Sequence, residues 1–565
     1  MNNKNIMTII FKPTNYLKIK NNNFTCRYFS ANISRINIKS KQNKNFIYNK
    51  ASKNFYGLIG YISNLKYISK DVLKVSDKEN LHDVDVIALL YEKKGEKIFQ
   101  YLDGIFTIFL WNEEKQKGYI IQDEHGFSTP LYFIKNQGLM LFSNSLKSLL
   151  IELNKFNFNR ELDIKASREF ILQGNLIPNS KTLIKGIYKL IPNQKIIIDY
   201  KNNNIILKKN QKKIKKINPY EARKQLLKSI EEHTNQLCLL SKKCIGTTIS
   251  SGFDSNLILY FLYKNNKEIT GITIGGEKIN EIPKALKCSQ KYKNINHIVS
   301  QISNDKLNDF PDIVWRIEGA VFERGLFLQY ETMKLIKTLG INCAFFGECA
   351  DQQLDSFRTQ KNLLKNKIEE NLKNKRYILK LLNFYKKMTN KQTIKRIPKI
   401  CNITINNDYK NYDTIKDYIL KKNGILANSF AIQSFYPFLN KKTSQITHSM
   451  TYRDSKSKKF YKKEVKKMIS NNISRNFVKI GGSTDIEYLC HNHTEIFYKV
   501  LHSKLTNKLF PELKNKNHLL KNPNYYNFLL HLLYLYLFHQ LFVTKKYNSY
   551  LNKEEIPLQL NDFSM

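Results

Sequence analysis

Acidic residues are scarce: 47 Asp and Glu stand against 93 Lys and Arg in 565 residues, a formal net charge of +46. Cysteine is sparse as well. Eight residues (Cys26, Cys238, Cys244, Cys288, Cys343, Cys349, Cys401 and Cys490) are scattered with no CxxC pair, which excludes a zinc knuckle or a disulfide framework. A reduced, cytoplasmic setting is the expectation. Long hydrophobic runs are also missing. Near the start only Ile6 to Phe11 is apolar, too short for a signal-peptide core. The longest apolar stretch, Phe528 to Val543, is interrupted by His531, His539 and Gln540; it falls short of a membrane span and predicts a buried C-terminal helix. A basic excess ordinarily points to nucleic acid or an anionic surface. Here the lysines run over the whole length together with Asn, Ile and Tyr, as coding bias in an AT-rich genome produces. Neither an aromatic-basic platform nor a groove-reading motif is present. Neither nucleic acid nor a membrane is therefore expected as a partner.

What is present has the makings of a folded, multi-domain chain: 42% hydrophobic and 12% aromatic residues, over a length sufficient for two or three cores. Residues 1–50 are polar, Asn- and Lys-rich and without period, and predict a poorly ordered segment. Over residues 51–210, short apolar runs alternate with turns: Gly57 to Tyr61, Ile105 to Trp111, Gly118 to Ile121, Leu139 to Phe142, Lys195 to Ile198 and Asn204 to Leu207. That pattern predicts a layered, mainly β domain. The basic tract Lys208 to Lys216 reads as a linker.

Beyond it the period changes. Pro219 to Leu240 has helical spacing, with Leu226, Leu227 and Ile230 on one face and Glu221, Glu231 and Glu232 on the other. Strand Gly246 to Ile249, helix Asn256 to Lys264, strand Ile269 to Ile274, helices 281–292 and 326–338, and strand Asn342 to Phe346 follow. Such alternation predicts a parallel sheet flanked by helices. From about residue 360 to 545 the chain reads as mostly helical, and 546–565 as a tail.

Two loops carry the chemistry. Ser250-Ser251-Gly252-Phe253-Asp254-Ser255 lies between a strand and a helix, where small residues let backbone N–H groups close around a phosphate. Asp254 in such a loop calls for a cation between carboxylate and phosphate. Gly347-Glu348-Cys349-Ala350-Asp351 follows a second strand. In an open parallel sheet, loops at the carboxyl ends of strands share one crevice, so Asp254 and Asp351 are placed to share a metal.

These segments resemble the asparagine synthetase family. Ser250 to Ser255 is similar to its Ser-Gly-Gly-x-Asp-Ser pyrophosphatase loop, with Ser251 for the first Gly, and Gly347 to Asp351 to its Gly-Glu-Gly-Ala-Asp segment, with Cys349 for Gly. Further similar segments are Leu102 to Trp111, Pro130 to Phe133, Gly174 to Pro178, Thr182 to Gly186, Lys189 to Pro192, His297, Asp312 to Glu318 and Ser434 to Lys442. The resemblance spans roughly 54–545. It implies an α/β protein: a glutaminase-like αββα sandwich, then a parallel-sheet ATP-pyrophosphatase (PP-loop) domain over 217–545 with a helical C-terminal part. It further implies ATP and Mg²⁺. Ile249 and Ile274 would flank adenine, Ser250, Ser251, Gly252, Ser255 and Gly347 would line the nucleotide, and Asp254 and Asp351 would hold Mg²⁺. Glu348 would face the acceptor amine, and Lys479 would neutralise charge on the acyl-adenylate transition state.

The glutaminase-like half departs from the pattern. Its chemistry needs a cysteine whose own α-amine acts as base, yet position 2 is Asn2 and the earliest cysteine is Cys26. Asp103 keeps its place, but the family's glutamine-holding segments have no counterpart. The expected activity is ATP-dependent amide formation, joining a small-molecule or peptide carboxylate to an amine without glutamine hydrolysis. Three readings remain open: an intramolecular cyclase, an ammonia-using asparagine synthetase, and an inactive scaffold kept for binding.

Overall fold

The computed structural model describes residues 6–563 apart from 12–17, 21–22, 26–28, 35–45, 50, 76–80, 124–129, 137–138, 174–179, 192–193, 210–215, 277–279, 304, 324, 355–413, 456–457, 470–484 and 514–515. The N-terminal half contributes thirteen described strands. They are β1 (Ile6–Phe11), β2 (Lys18–Lys20), β3 (Asn23–Thr25), β4 (Phe29–Ser34), β5 (Phe46–Asn49), β6 (Asn54–Ile62), β7 (Gly104–Asn112), β8 (Lys117–Gln122), β9 (Tyr132–Asn136), β10 (Leu139–Ser143), β11 (Tyr188–Lys189), β12 (Gln194–Asp199) and β13 (Asn204–Lys209). They form two antiparallel sheets, ordered β11-β9-β10-β1-β4-β3-β2 and β13-β12-β8-β7-β6-β5.

Between the sheets lies an apolar layer including Ile9, Phe55, Phe109, Trp111, Phe142 and Ile196. The outer face of the second sheet packs its alternate residues, Tyr56, Leu58, Phe106 and Ile108, against helix α1 (Asp83–Lys94) through Val84, Ile87 and Leu90. On the far side, Tyr132, Ile134 and Leu141 of the first sheet meet α2 (Leu146–Asn154) and α3 (Ile164–Gln173). Helix, sheet, sheet and helix layers result: the αββα sandwich.

Two expectations require correction here. Residues 1–50 were expected to lack order, yet five of the strands fall there, and β1 lies inside the first sheet, paired to β10 and β4. Its stabilisation is non-local: Thr8 to Phe11 pair with Met140 to Ser143, over a hundred residues away, which local composition cannot report. The expected linker begins too early, because Lys208 and Lys209 belong to β13, opposite Lys195 and Gln194; residues 210–215 lie outside the described ones.

Helix α4 (Pro219–Leu240) opens the second half, with Asn218 accepting from Tyr220 N and Pro219 in the first turn, where a missing N–H costs nothing. Strand β14 (Cys244–Thr248), helix α5 (Phe253–Lys264), β15 (Glu268–Gly276), α6 (Ile282–Ser289), β16 (Ile295–Ile302), α7 (Phe310–Ile317), α8 (Leu326–Thr338), β17 (Cys343–Phe345) and α9 (Ala350–Leu354) follow. After the gap come α10 (Thr414–Ser429), β18 (Gln433–Phe435), α11 (Lys441–Ser449) and α12 (Lys459–Met468). The five strands β14 to β18 are all parallel, in the order β16-β15-β14-β17-β18. Strand order therefore reverses between β14 and β17.

Helix α13 (Tyr526–Phe538) has eleven of its thirteen residues buried. The segment Pro523–Val543 is, by length and composition, apolar enough to cross a membrane, a test that the buried core helix of a soluble protein also passes. It nevertheless lies in the core, with 78% of its most apolar window buried by protein, and His531 Nδ1 satisfied by Asn527 O at 2.5 Å.

Candidate functional site

The site lies where strand order reverses, since chains leaving adjacent parallel strands toward opposite faces leave a crevice between them. The loop after β14 enters it. Ser250 Oγ accepts from Gly252 N at 3.0 Å and meets Ser255 Oγ at 2.7 Å. Asn256, 1% exposed, donates to the carbonyls of Ser250 (2.9 Å) and Gly252 (2.7 Å). Both carbonyls are thereby tied inward, and α5 opens at Gly252 without a side-chain cap, which sets a helix N-terminus in the crevice. Ser251 is buried and keeps negative φ, so nothing in the backbone demands the glycine that the family pattern has there.

The loop after β17 meets the first one closely. A Cβ on Gly347 would stand 3.2 Å from Ser255 N and 3.4 Å from Asp254 C, both backbone, so contact of the two loops depends on this glycine. Cys349 takes φ 77°, in the left-handed region, which explains why glycine is the family's residue and marks local strain here.

Asp254 and Asp351 converge as the sequence predicts, and they do so on Lys458. Its Nζ lies 2.6 Å from Asp254 Oδ2 and 2.7 Å from Asp351 Oδ1. Burial raises the Asp254 carboxyl above its ordinary range, opposed by the Lys458 ammonium. Asp254 Oδ1 is buried without a hydrogen-bond partner among the described residues; the Tyr461 hydroxyl is near enough to lower the carboxyl's pKa but does not reach bonding geometry. Two carboxylates sharing one cation, one of them with an orphaned oxygen, form a donor set that fits Mg²⁺ completed by phosphate oxygens. No group of three or more His, Cys, Asp or Glu at metal-binding spacing occurs among the described residues, so phosphate oxygens and water would complete such a site.

Glu348 accepts from Asn423 Nδ2 at 3.2 Å, and Asn423 Oδ1 in turn accepts from Tyr436 OH at 2.5 Å. Burial pushes the Glu348 carboxyl up to about 7, where it exchanges a proton near neutrality. Ile249 is buried and packs on Gly271, its carbonyl accepting from Thr273 Oγ1 at 2.6 Å. Ile274 is half-buried on β15, the strand beside β14. Lys479 lies outside the described residues.

Sequence reading missed Asn256, Asn423 and Lys458. Asn256 offered a faint signal, a polar residue opening the apolar run Leu257 to Leu262. Lys458 stands in a Lys-rich stretch and offered none.

A small-residue loop and a helix N-terminus at the reversal point of a parallel sheet, with two carboxylates beside them, are the features of an α/β protein with a crevice suited to a phosphate-bearing ligand. Comparison with known proteins narrows this. The glutamine amidotransferase domain family matches residues 34–210, and the asparagine synthase family matches residues 223–477. Over 191 residues the chain is 25% identical to asparagine synthetase (glutamine-hydrolysing) 2 of Bacillus subtilis, covering 32% of this chain and 25% of that protein. A Methanocaldococcus jannaschii protein whose name proposes a glutamine-hydrolysing asparagine synthetase is 24% identical over 224 residues, 37% of this chain and 42% of that one. Amidase chry2 of Gibberella zeae is 26% identical over 115 residues, 20% and 16% of the two chains. The matches thus span under half the length of these relatives. A solved glutamine phosphoribosylpyrophosphate amidotransferase of B. subtilis overlaps at TM-score 0.25 and 11% identity, over 47% of this chain and 59% of that one, a likeness too slight to carry an argument. The two matched families follow the sandwich and the parallel-sheet region in order, and with the curated relatives they support an asparagine-synthetase-family protein.

Proposed function

We propose that this protein is an ATP-dependent ligase that adenylates a substrate carboxylate, releases pyrophosphate and passes the acyl group to an amine. The observation that carries the reading is the convergence of Asp254 and Asp351 on one cation beside the Ser250–Ser255 loop. The substrate carboxylate attacks the α-phosphorus, a new C–O–P linkage forms, and the bond to pyrophosphate breaks. The amine then attacks the acyl carbon, AMP leaves, and one proton goes to a base. The N–H groups around Gly252 and α5 would bind the leaving pyrophosphate, and Asp254 and Asp351 would hold Mg²⁺, which supplies positive charge to it. Glu348, oriented by Asn423, would take the amine proton, and Lys479 would stabilise the acyl-adenylate transition state.

The proposed ligase takes an amine other than that of glutamine, and a cytoplasmic setting agrees with the six free cysteines among the described residues. Within residues 1–237 the single cysteine is Cys26. Freeing its α-amine by cleavage would remove β1, β2 and β3, and β1 lies between β10 and β4 inside the first sheet. Creating the nucleophile would therefore dismantle the sandwich. The carboxylate and amine would be small molecules or peptide groups, and an amine within the same substrate is favoured slightly over ammonia.

The test is pyrophosphate release from Mg·ATP by the wild type, Asp254→Ala and Asp351→Ala, against aspartate with ammonia and a panel of amino-carboxylates. Release that needs both aspartates supports adenylation, and the triggering substrate decides between cyclisation and asparagine formation. Absence of ATP binding and turnover with every substrate would hand the case to a non-catalytic scaffold.

A further inference from the structure

Lys458 is more than a surface lysine that found two acids. Its side chain is 7% exposed, whereas that of Asp351 is 49% exposed. Its Nζ lies within ion-pairing distance of both the Asp254 and the Asp351 carboxylates, so the buried ammonium faces two opposite charges. The residue takes φ 57° and ψ 35° at the start of α12, a left-handed conformation that is strained for a non-glycine residue. Tyr461 in the same helix lays its ring 5.6 Å from the ammonium and brings its hydroxyl beside Asp254. Backbone strain, burial and an aromatic wall all serve to hold one positive charge between two carboxylates.

Two cations cannot occupy that position together. A divalent ion reaching Asp254 and Asp351 must expel the ammonium, and a buried charge deprived of its partners is costly. The charge deficit disappears when the incoming metal brings its own anion, because a triphosphate can receive the displaced ammonium.

We propose that Lys458 is a tethered counter-cation of this site: it neutralises Asp254 and Asp351 when no nucleotide is present and yields them to Mg²⁺ only when the metal arrives together with ATP. The ligase reading supplies the identity of the nucleotide; the competition between lysine and metal needs only the two carboxylates. Metal binding and nucleotide binding are then coupled, and coupling free energies between sites commonly correspond to about 5–150-fold in affinity.

The experiment is Mn²⁺ binding followed by electron paramagnetic resonance, on the full chain, with and without a non-hydrolysable ATP analogue. Wild type is expected to bind Mn²⁺ at least about tenfold more weakly alone than with the analogue. Lys458→Met should bind Mn²⁺ alone about tenfold or more tightly than wild type does, while Lys458→Arg, keeping the charge, should stay near wild type. Equal wild-type affinity for Mn²⁺ with and without the analogue overturns the proposal, and so does a Lys458→Met protein with no gain. Circular dichroism checks that the variants fold; the wild-type comparison needs no variant and can overturn the idea by itself. Binding of the analogue to wild type is measured separately by calorimetry. Its failure would sink the ligase reading, whereas the metal-alone comparison of wild type and Lys458→Met would still decide the role of Lys458.

Discussion

Glu348 shows how a single side chain acquires a function from its surroundings. Its pKa, raised from 4.5 to about 7 by burial, leaves it protonated below neutrality. In the proposed role as base for the amine it acts when deprotonated, so the amide-forming rate should rise with pH through about 7. Glu348→Gln should flatten that limb of the profile while pyrophosphate release persists. Stability moves the other way: the folded state holds its proton over the interval from 4.5 to about 7 and the unfolded chain does not, so stability falls as pH rises through that window. Chemical denaturation of the Gln variant should lack this slope. At Asn256 the prediction concerns geometry. Asn256→Ala removes the Nδ2 donor from two carbonyls that keep longer bonds from Ser255 Oγ and, at Gly252, from the residue-256 backbone N–H, so the loop loosens without an orphaned acceptor, and calorimetry should find ATP binding weaker by up to about tenfold. Asp254→Asn and Asp351→Asn should each lower pyrophosphate release by about 10²-fold or more, because transition-state charge loses its support.

At the scale of elements, the loops after β14 and β17 meet only because Gly347 lets them touch. Gly347→Ala would force its Cβ against Ser255 N and Asp254 C, and neither backbone atom can yield as a flexible side chain would. The expected outcome is a folded protein with ATP affinity reduced by more than that of Ala substitutions on the exposed face of α4, read by calorimetry beside circular dichroism. Helix α4 itself was legible to the residue, since Asn218 and Pro219 mark its start and its apolar face repeats at helical spacing. Strands β16 and β18 were not. Both are edges of the parallel sheet, and β16 leaves most of its residues at least partly exposed, so it lacks the apolar run that announces an interior strand. The same holds more sharply for β1, whose partners lie far along the chain.

Across the whole molecule, the sandwich and the nucleotide-binding region share a core rather than a linker alone: Leu149, Phe170, Ile258 and Leu533 belong to one contiguous cluster. Glu318, at the end of α7, fastens the two halves. It accepts from Ser145 Oγ at 2.8 Å and Lys147 N at 3.0 Å, and pairs with Lys147 Nζ at 3.3 Å, which also lies 4.5 Å from the Trp315 ring. Asp103 contributes from the other direction, its Oδ2 accepting from Lys441 N at 2.9 Å. Removing one partner of a buried pair strands the other's charge, so Glu318→Ala should destabilise the protein by about 3–5 kcal/mol. The double variant Lys147→Met/Glu318→Leu should recover most of that loss in denaturant titration, because the stranded charge is gone.

The sequence by itself determined the family, the alternation of strands and helices, and the two loops with Asp254, Glu348 and Asp351. Those features are local: turn residues, apolar periods and acids at fixed offsets from a strand end. Tertiary structure alone decided that β1 is interior and that Lys458, more than a hundred residues from Asp351 and more than two hundred from Asp254, stands between them. These depend on which distant segments meet, and a lysine among 93 basic residues carries no mark of the carboxylates it will face.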